Sequence, residues 1–219
     1  MKQTQRSAGG RRGPYRLARR AERAAETRRR ITQAAVELHE QLGPLATTVS
    51  AIAERAGVGR PTVYAHFPDE PSLFAACTAH YFAAHQPPDP RSWLDVRDPE
   101  VRLRRGLTKL YRYWAEIEPM AAAVLRDRRV APERVGQGLI DHMADCRKAL
   151  VQAWQVDRGT ERRLRAALGH AVRFETWQGL VLDEGLAVEE AMDIMMVMVR
   201  GIVGRTSRPS AIRSTTRPA

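Results

Sequence analysis

The sequence predicts an all-α chain: an N-terminal three-helix helix-turn-helix domain followed by a larger helical domain. Three observations carry this expectation. Apolar residues recur at helical spacing, as in Ile31, Ala35, Leu38 and Leu42. No stretch alternates like a half-buried strand, and no Gly-rich nucleotide loop is present. Each break between apolar segments has a local cause in Gly or Pro: Gly43-Pro44, Gly57, Pro68, Pro119, Pro132, Gly159 and Gly185.

The elements follow in order. The first core helix is expected from about Glu22 to Leu42, stopped by Gly43 and Pro44. Thr47 or Thr48 caps a second helix that runs to about Ala56. Gly57 stands where that helix must end in a left-handed turn, which glycine adopts cheaply. A short helix from Arg60 to about His66 follows, with Pro61 in the first turn, where no amide bond is needed. Val63 is placed to pack back onto Ile52 and Ala53, and the small Ala53 lets the two helices approach. This spacing is that of a helix-turn-helix, whose second helix can enter the major groove of DNA. A fourth helix opens at Asp69 or Glu70 and runs to about His85. Gln86-Pro-Pro-Asp-Pro is the strongest punctuation in the chain, and the domain boundary is placed there. Further helices are expected at about 99–117, 119–129, 132–155, 160–184 and 187–204, with Asp98 capping the first. The resulting division is a basic disordered arm over 1–21, a DNA-binding domain over 22–85, a helical domain over 86–204 and a disordered tail over 205–219.

Charge narrows the partners. Lys and Arg number 36 against 25 Asp and Glu, a formal net charge of +11. That balance favours polyanions such as nucleic acid, although Arg-rich usage also follows from a GC-rich genome. In the arm, Lys2, Arg6, Arg11, Arg12, Arg16, Arg19, Arg20 and Arg23 read either as plain disorder or as a phosphate-tracking segment. Cys77 and Cys146 make no disulfide framework and are expected as buried, inert thiols. No secretion signal or membrane span is read, so a cytoplasmic protein is expected.

Three constellations could carry function. Thr47 and Thr48 stand at a helix N-terminus, where they either cap the helix or also meet a phosphate. Arg60 presents a fork able to grip guanine or phosphate, and Pro61 and Thr62 offer apolar contact to thymine methyls. In the C-terminal half, Tyr111, Tyr113, Trp114, Met120, Met143, Trp154, Phe174 and Trp177 are the large apolar residues that would line a mostly apolar small-molecule pocket, or else form ordinary core. The last helix, with Met192, Ile194, Met195, Met196, Val197, Met198 and Val199, is apolar on nearly all sides and must be buried all round. A partner subunit packed on this helix is the expectation, to be tested at Met196 and Val199, and burial within one subunit is its rival. His142 and Cys146 lie four apart, a spacing a metal could use, but no second pair accompanies them. No metal, cofactor or catalytic arrangement is expected.

Ile31, Ala34, Ala35, Leu38, Gly43, Thr47, Val49, Ile52, Ala53, Ala56, Gly57, Val58, Thr62, Tyr64, His66, Phe67, Leu73 and Phe74 together resemble the DNA-binding domain of TetR-family transcriptional regulators. Tyr64-x-His66-Phe67 is the most specific mark. The resemblance implies a homodimer that binds a double-stranded DNA operator and is released by a small-molecule effector. A repressor is implied, with the two C-terminal helices of each subunit forming a four-helix bundle. In this scheme a ligand moves the helix near Leu73 to His85 and so changes the spacing of the recognition helices. It also implies phosphate contacts for Tyr64 and His66, although His66 as a packed core residue is the competing reading. Two positions depart from the family pattern: Glu70 where a Lys usually contacts phosphate, and Gly59 where a Ser usually caps. The rival function is a ligand-independent dimeric DNA binder whose C-terminal domain only dimerises.

Overall fold

The computed structural model describes residues 12–131 and 135–204, with side chains from Tyr15 onward. The tail over 205–219, the first half of the arm and Pro132 lie outside the described residues. Ten α-helices, one 3-10 turn and one π-helical turn make up the described residues. They form two compact units that meet in sequence at His85 and Gln86.

The first unit holds α1 (Arg12–Leu42), α2 (Val49–Ala56), α3 (Arg60–His66) and α4 (Glu70–Ala84). Ile31, Ala34, Ala35 and Leu38 of α1 are buried, together with Ile52 and Ala53 of α2, Val63 of α3 and Leu73 of α4. Thr48 caps α2, its hydroxyl accepting from the Ala51 amide at 3.2 Å. Gly57 closes it at φ 63°. The Val58 amide then reaches back to the Ala53 carbonyl and the Gly57 amide to Glu54, both at 3.0 Å. This is the helix stop expected from the sequence, with the last carbonyls satisfied.

One boundary differs. α1 begins at Arg12, not near Glu22, so the second half of the expected disordered arm is helical. Pro14 falls in the first turn, where its missing amide has no helical partner to lose. From Tyr15 onward Ala, Leu, Arg and Glu dominate, all strong helix formers.

In the second unit a 3-10 turn (Pro90–Trp93) leads into α5 (Pro99–Glu116). There follow α6 (Glu118–Arg128), α7 (Gln137–Val151), α8 (Arg158–Ala171), α9 (Phe174–Gln178) with a π turn over Gly179–Asp183, and α10 (Val188–Gly204). α5 packs against α7, α9 and α10, and α8 packs against α7 and α10. Gly106 of α5 admits the closest approach: a Cβ there would sit 2.9 Å from Leu150 and 3.3 Å from Trp93. Buried Arg102 ties the unit together, donating to the carbonyls of Val96, Leu94 and Ala149 at 2.7, 2.9 and 3.1 Å.

Three expectations are corrected here. The helix expected over 132–155 covers only Gln137–Val151. The helix expected over 160–184 breaks after Ala171, with neither Gly nor Pro at the break. Tertiary bonds hold the break open: Tyr111 donates to the Ala171 carbonyl at 3.1 Å and Thr176 to the His170 carbonyl at 2.6 Å. The His170 carbonyl also takes the Arg173 amide at 3.1 Å, so the helix closes in a tighter last turn. Finally, Met196 and Val199 of α10 are buried within the chain itself, with Met192 and Met195, whereas Ile194, Val197 and Met198 are exposed in it.

Both thiols are buried, and burial pushes each up to about 12. Neutral and covered, neither should react with iodoacetamide at pH 8 in the native protein, and both should react in urea. Mass measurement of the native protein checks this, and one added carbamidomethyl would show a thiol to be open.

Candidate nucleic-acid interface

α3 is short, and its side chains divide cleanly. Val63 and Phe67 point into the core at 1% and 2% exposure. Arg60, Pro61, Tyr64 and Ala65 are exposed, and Thr62 and His66 are half-buried. Gly59 opens the helix with no side-chain cap, so its first turn rests on backbone bonds, with the Thr62 amide 2.9 Å from the Gly59 carbonyl. The Arg60 guanidinium has no ion pair or hydrogen bond among the described residues. Its five donors are available to an outside acceptor.

Two arginines of α1 hold the motif from behind. Arg28 donates to the His66 carbonyl at 2.6 Å, and its guanidinium lies 4.0 Å above the Phe67 ring. Arg30 donates to the Ala56 carbonyl and, at 3.3 Å, to that of Gly57. One arginine thus grips the end of α3 and the other the turn before it. Around them, Arg55 of α2 meets Glu37 of α1 at 3.1 Å, and Gln33 donates to Glu37 at 3.0 Å. These bonds, Gln33 first, hold the Glu37 carboxyl below the usual range. Nothing in the sequence marked Arg28 and Arg30, because both sit among other arginines on a surface stretch of helix.

The two threonines differ. Thr47 is half-buried and donates its hydroxyl to the Gly43 carbonyl at 2.8 Å. Thr48 is exposed and spends a lone pair on its cap, which leaves its proton free to donate to a phosphate oxygen. Glu70 opens α4, whose cap is Asp69, bonded to the Ser72 amide at 2.8 Å. A carboxylate in the first turn suits the helix dipole, which gives Glu70 a local reason.

The residues expected to line a ligand pocket divide between the core and two grooves. Tyr111, Trp114, Phe174 and Trp177 are buried, and three of them meet in series, Trp114 and Phe174 edge to face. Ring centroids are 5.8 Å apart for Trp114–Phe174 and 5.4 Å for Phe174–Trp177. Met143 instead lines a groove of about 450 Å³ with Arg147, Arg165 and Arg173. Trp154 lines another, of about 380 Å³, with Lys148 and Glu161. The indole nitrogens of Trp114 and Trp177 and the Tyr113 hydroxyl are buried without an acceptor among the described residues. His142 and Cys146 do meet, Nε2 3.4 Å from Sγ. No group of three or more metal-binding side chains occurs among the described residues, and no described helix is long and apolar enough to cross a membrane.

Comparison with known proteins places this geometry. Residues 31–77 match the family of bacterial regulatory proteins known as the tetR family. An uncharacterized HTH-type transcriptional regulator of Mycobacterium bovis is 42% identical over 60 residues, 27% of this chain and 32% of that protein. The match therefore spans about a third of that relative's length. A TetR-like transcriptional regulator from Rhodococcus sp. RHA1 aligns with a TM-score of 0.56 at 20% identity, over 81% of this chain and 96% of that one. A TetR regulator from Haloarcula marismortui aligns at 0.52 and 18%, over 83% and 98%. These two likenesses concern the fold. All three matched proteins are named as transcriptional regulators. Residues 31–77 thus match the tetR family model over the helix-turn-helix, and the fold of the described residues is that of TetR-like regulators.

Proposed function

We propose that the chain is a cytoplasmic, homodimeric, sequence-specific DNA-binding regulator, a repressor released from its operator by a small molecule. The observation that carries DNA binding is the exposed face of α3. Arg60, Pro61 and Tyr64 project from a helix that Val63, Phe67 and Arg28 hold in place. Such a helix presents a donor fork, an apolar contact and a phenol toward a groove without ordering cost. Thr48 adds a phosphate donor at the start of α2. Thr47, Thr62 and His66 lie beside this face and support it more than they project from it.

Dimerisation rests on α10. Ile194, Val197 and Met198 form an exposed apolar stripe opposite the buried one, and Leu182 is exposed as well. Effector binding rests on the C-terminal aromatics. Buried donors without an acceptor are costly, and an apolar ligand bearing acceptors would satisfy those of Trp114, Trp177 and Tyr113. The close packing of Trp114, Phe174 and Trp177 favours the rival, in which this domain only dimerises. Operator release by a compound that also perturbs tryptophan fluorescence separates the two.

Selection of bound fragments from a random DNA pool supplies the operator. Arg60→Ala should then weaken binding by about 1–3 kcal/mol and relax preference at one base position. Wild-type affinity and preference in a folded Arg60→Ala protein would remove α3 as the reading element.

A further inference from the structure

The N-terminal part of α1 stands clear of the rest of its unit. From Tyr15 to Glu26 every side chain is exposed. A helix without a packed face gains nothing from burial, so its composition needs another reason. At 3.6 residues per turn, Arg16, Arg19, Arg20 and Arg23 fall within about 100° of arc. The opposite arc holds Ala18, Ala21 and Ala25. Glu26 is taken up by Arg29 at 2.7 Å. Arg16, Arg20 and Arg23 have no ion pair or side-chain hydrogen bond among the described residues, and Arg19 lies over the Tyr15 ring at 5.8 Å.

Arg30 fixes which way this face looks. By the same helical count it lies inside the arc of the four arginines. Its own guanidinium reaches the carbonyls of Ala56 and Gly57, at the turn that leads into α3. The stripe therefore continues, toward the N-terminus, the side of α1 on which the helix-turn-helix turn lies. Arg60 opens α3 three residues beyond Gly57.

We propose that the Arg16–Arg23 face of α1 is a second DNA-contacting element, a rigid arginine rail that grips phosphates flanking the site read by α3. This rests on the DNA-binding reading above. Seven residues of helix rise about 10 Å. One DNA strand offers a phosphate about every 3.4 Å of axis, so the rail spans about three. Guanidinium forks suit phosphate oxygens, and a preformed helix loses little entropy on docking. An alanine face behind the stripe argues against a membrane-surface helix, which would carry large apolar residues there.

The test uses the full chain with Arg16→Gln, Arg19→Gln, Arg20→Gln and Arg23→Gln combined. Gln keeps helix propensity, and circular dichroism confirms the fold. Affinity for the selected operator is measured between 50 and 300 mM salt, on DNA with long flanks and on DNA trimmed to the core. On long flanks the slope of log affinity against log salt should flatten by about 0.9 for each phosphate the variant no longer neutralises. Base preference should be unchanged, and on trimmed DNA wild type and variant should converge. Arg60→Ala should do the reverse, relaxing base preference while keeping the flank-dependent slope. An unchanged slope in the quadruple variant overturns the rail, and an impaired Arg60→Ala protein would still uphold DNA reading by α3. Binding to phosphatidylglycerol vesicles that the quadruple variant abolishes, with an unchanged DNA slope, also overturns it. A wild-type protein that selects no DNA would end both.

Discussion

Val197→Glu combined with Met198→Lys should yield a folded monomer that no longer holds its operator. Val197 and Met198 are 64% and 45% exposed, and Ile194 beside them is 39% exposed. Three large apolar side chains on one exposed helix face are the mark of an interaction surface. Charges there cost a lone chain little, because water reaches both positions. In a dimer joined through this stripe both charges would be taken out of water, at a cost of several kcal/mol. Each recognition helix would then bind its half-site alone, and the avidity of a linked pair, about 10²–10⁴, would be lost. Met196→Glu is the contrasting variant. Met196 is 1% exposed within its own chain, so a carboxylate there should unfold or aggregate the protein. Light scattering at micromolar concentration and gel-shift titration distinguish these outcomes. A double variant that stays dimeric with wild-type affinity places the interface elsewhere, and a monomeric wild type refutes the dimer.

The helix-turn-helix was legible because its constraints are local. Gly57 must take a left-handed conformation, Thr48 must cap, and Val63 must face inward. Each leaves a residue type at a fixed spacing, and α2 and α3 end at the residues expected for them. The second unit was legible only as a series of helices. The break after Ala171 depends on bonds from Tyr111 and Thr176, the first of which lies 60 residues away. No neighbour in sequence signals it. α10 misled for a related reason. An apolar residue on every side means burial on every side only if the hydropathy is even. Here the inner stripe meets α5 and α8, and the outer stripe is left uncovered by the chain itself. Met196 and Val199 could not be told from Val197 and Met198 without knowing where the neighbours stand. The candidate pocket residues were ambiguous for a similar reason. Large and aromatic residues mark core as readily as cavity, and Tyr111, Trp114, Phe174 and Trp177 went to the core.

Phe67→Ala should melt the DNA-binding unit at temperatures where the C-terminal unit stays folded. The ring is 2% exposed, at the C-cap of α3. Truncating a buried aromatic costs about 3–5 kcal/mol. That is a large share of the marginal stability of a unit this small. The loss reaches further than the ring's own packing. The Arg28 guanidinium stacks 4.0 Å above it while donating to the His66 carbonyl. Without the ring, Arg28 keeps one bond and loses the surface that holds its fork in place. α3 has seven residues, too few to persist as an isolated helix, so its position depends on these tertiary contacts. Operator binding should therefore vanish near 37 °C, with part of it regained on cooling. Arg28→Lys should lose less, since the ammonium can still reach the carbonyl but stacks poorly on the ring. Thermal circular dichroism should show two transitions in Phe67→Ala, the lower carrying the smaller amplitude. A single transition at the wild-type temperature, with operator binding intact, would show that the end of α3 is held by something other than Phe67 and Arg28.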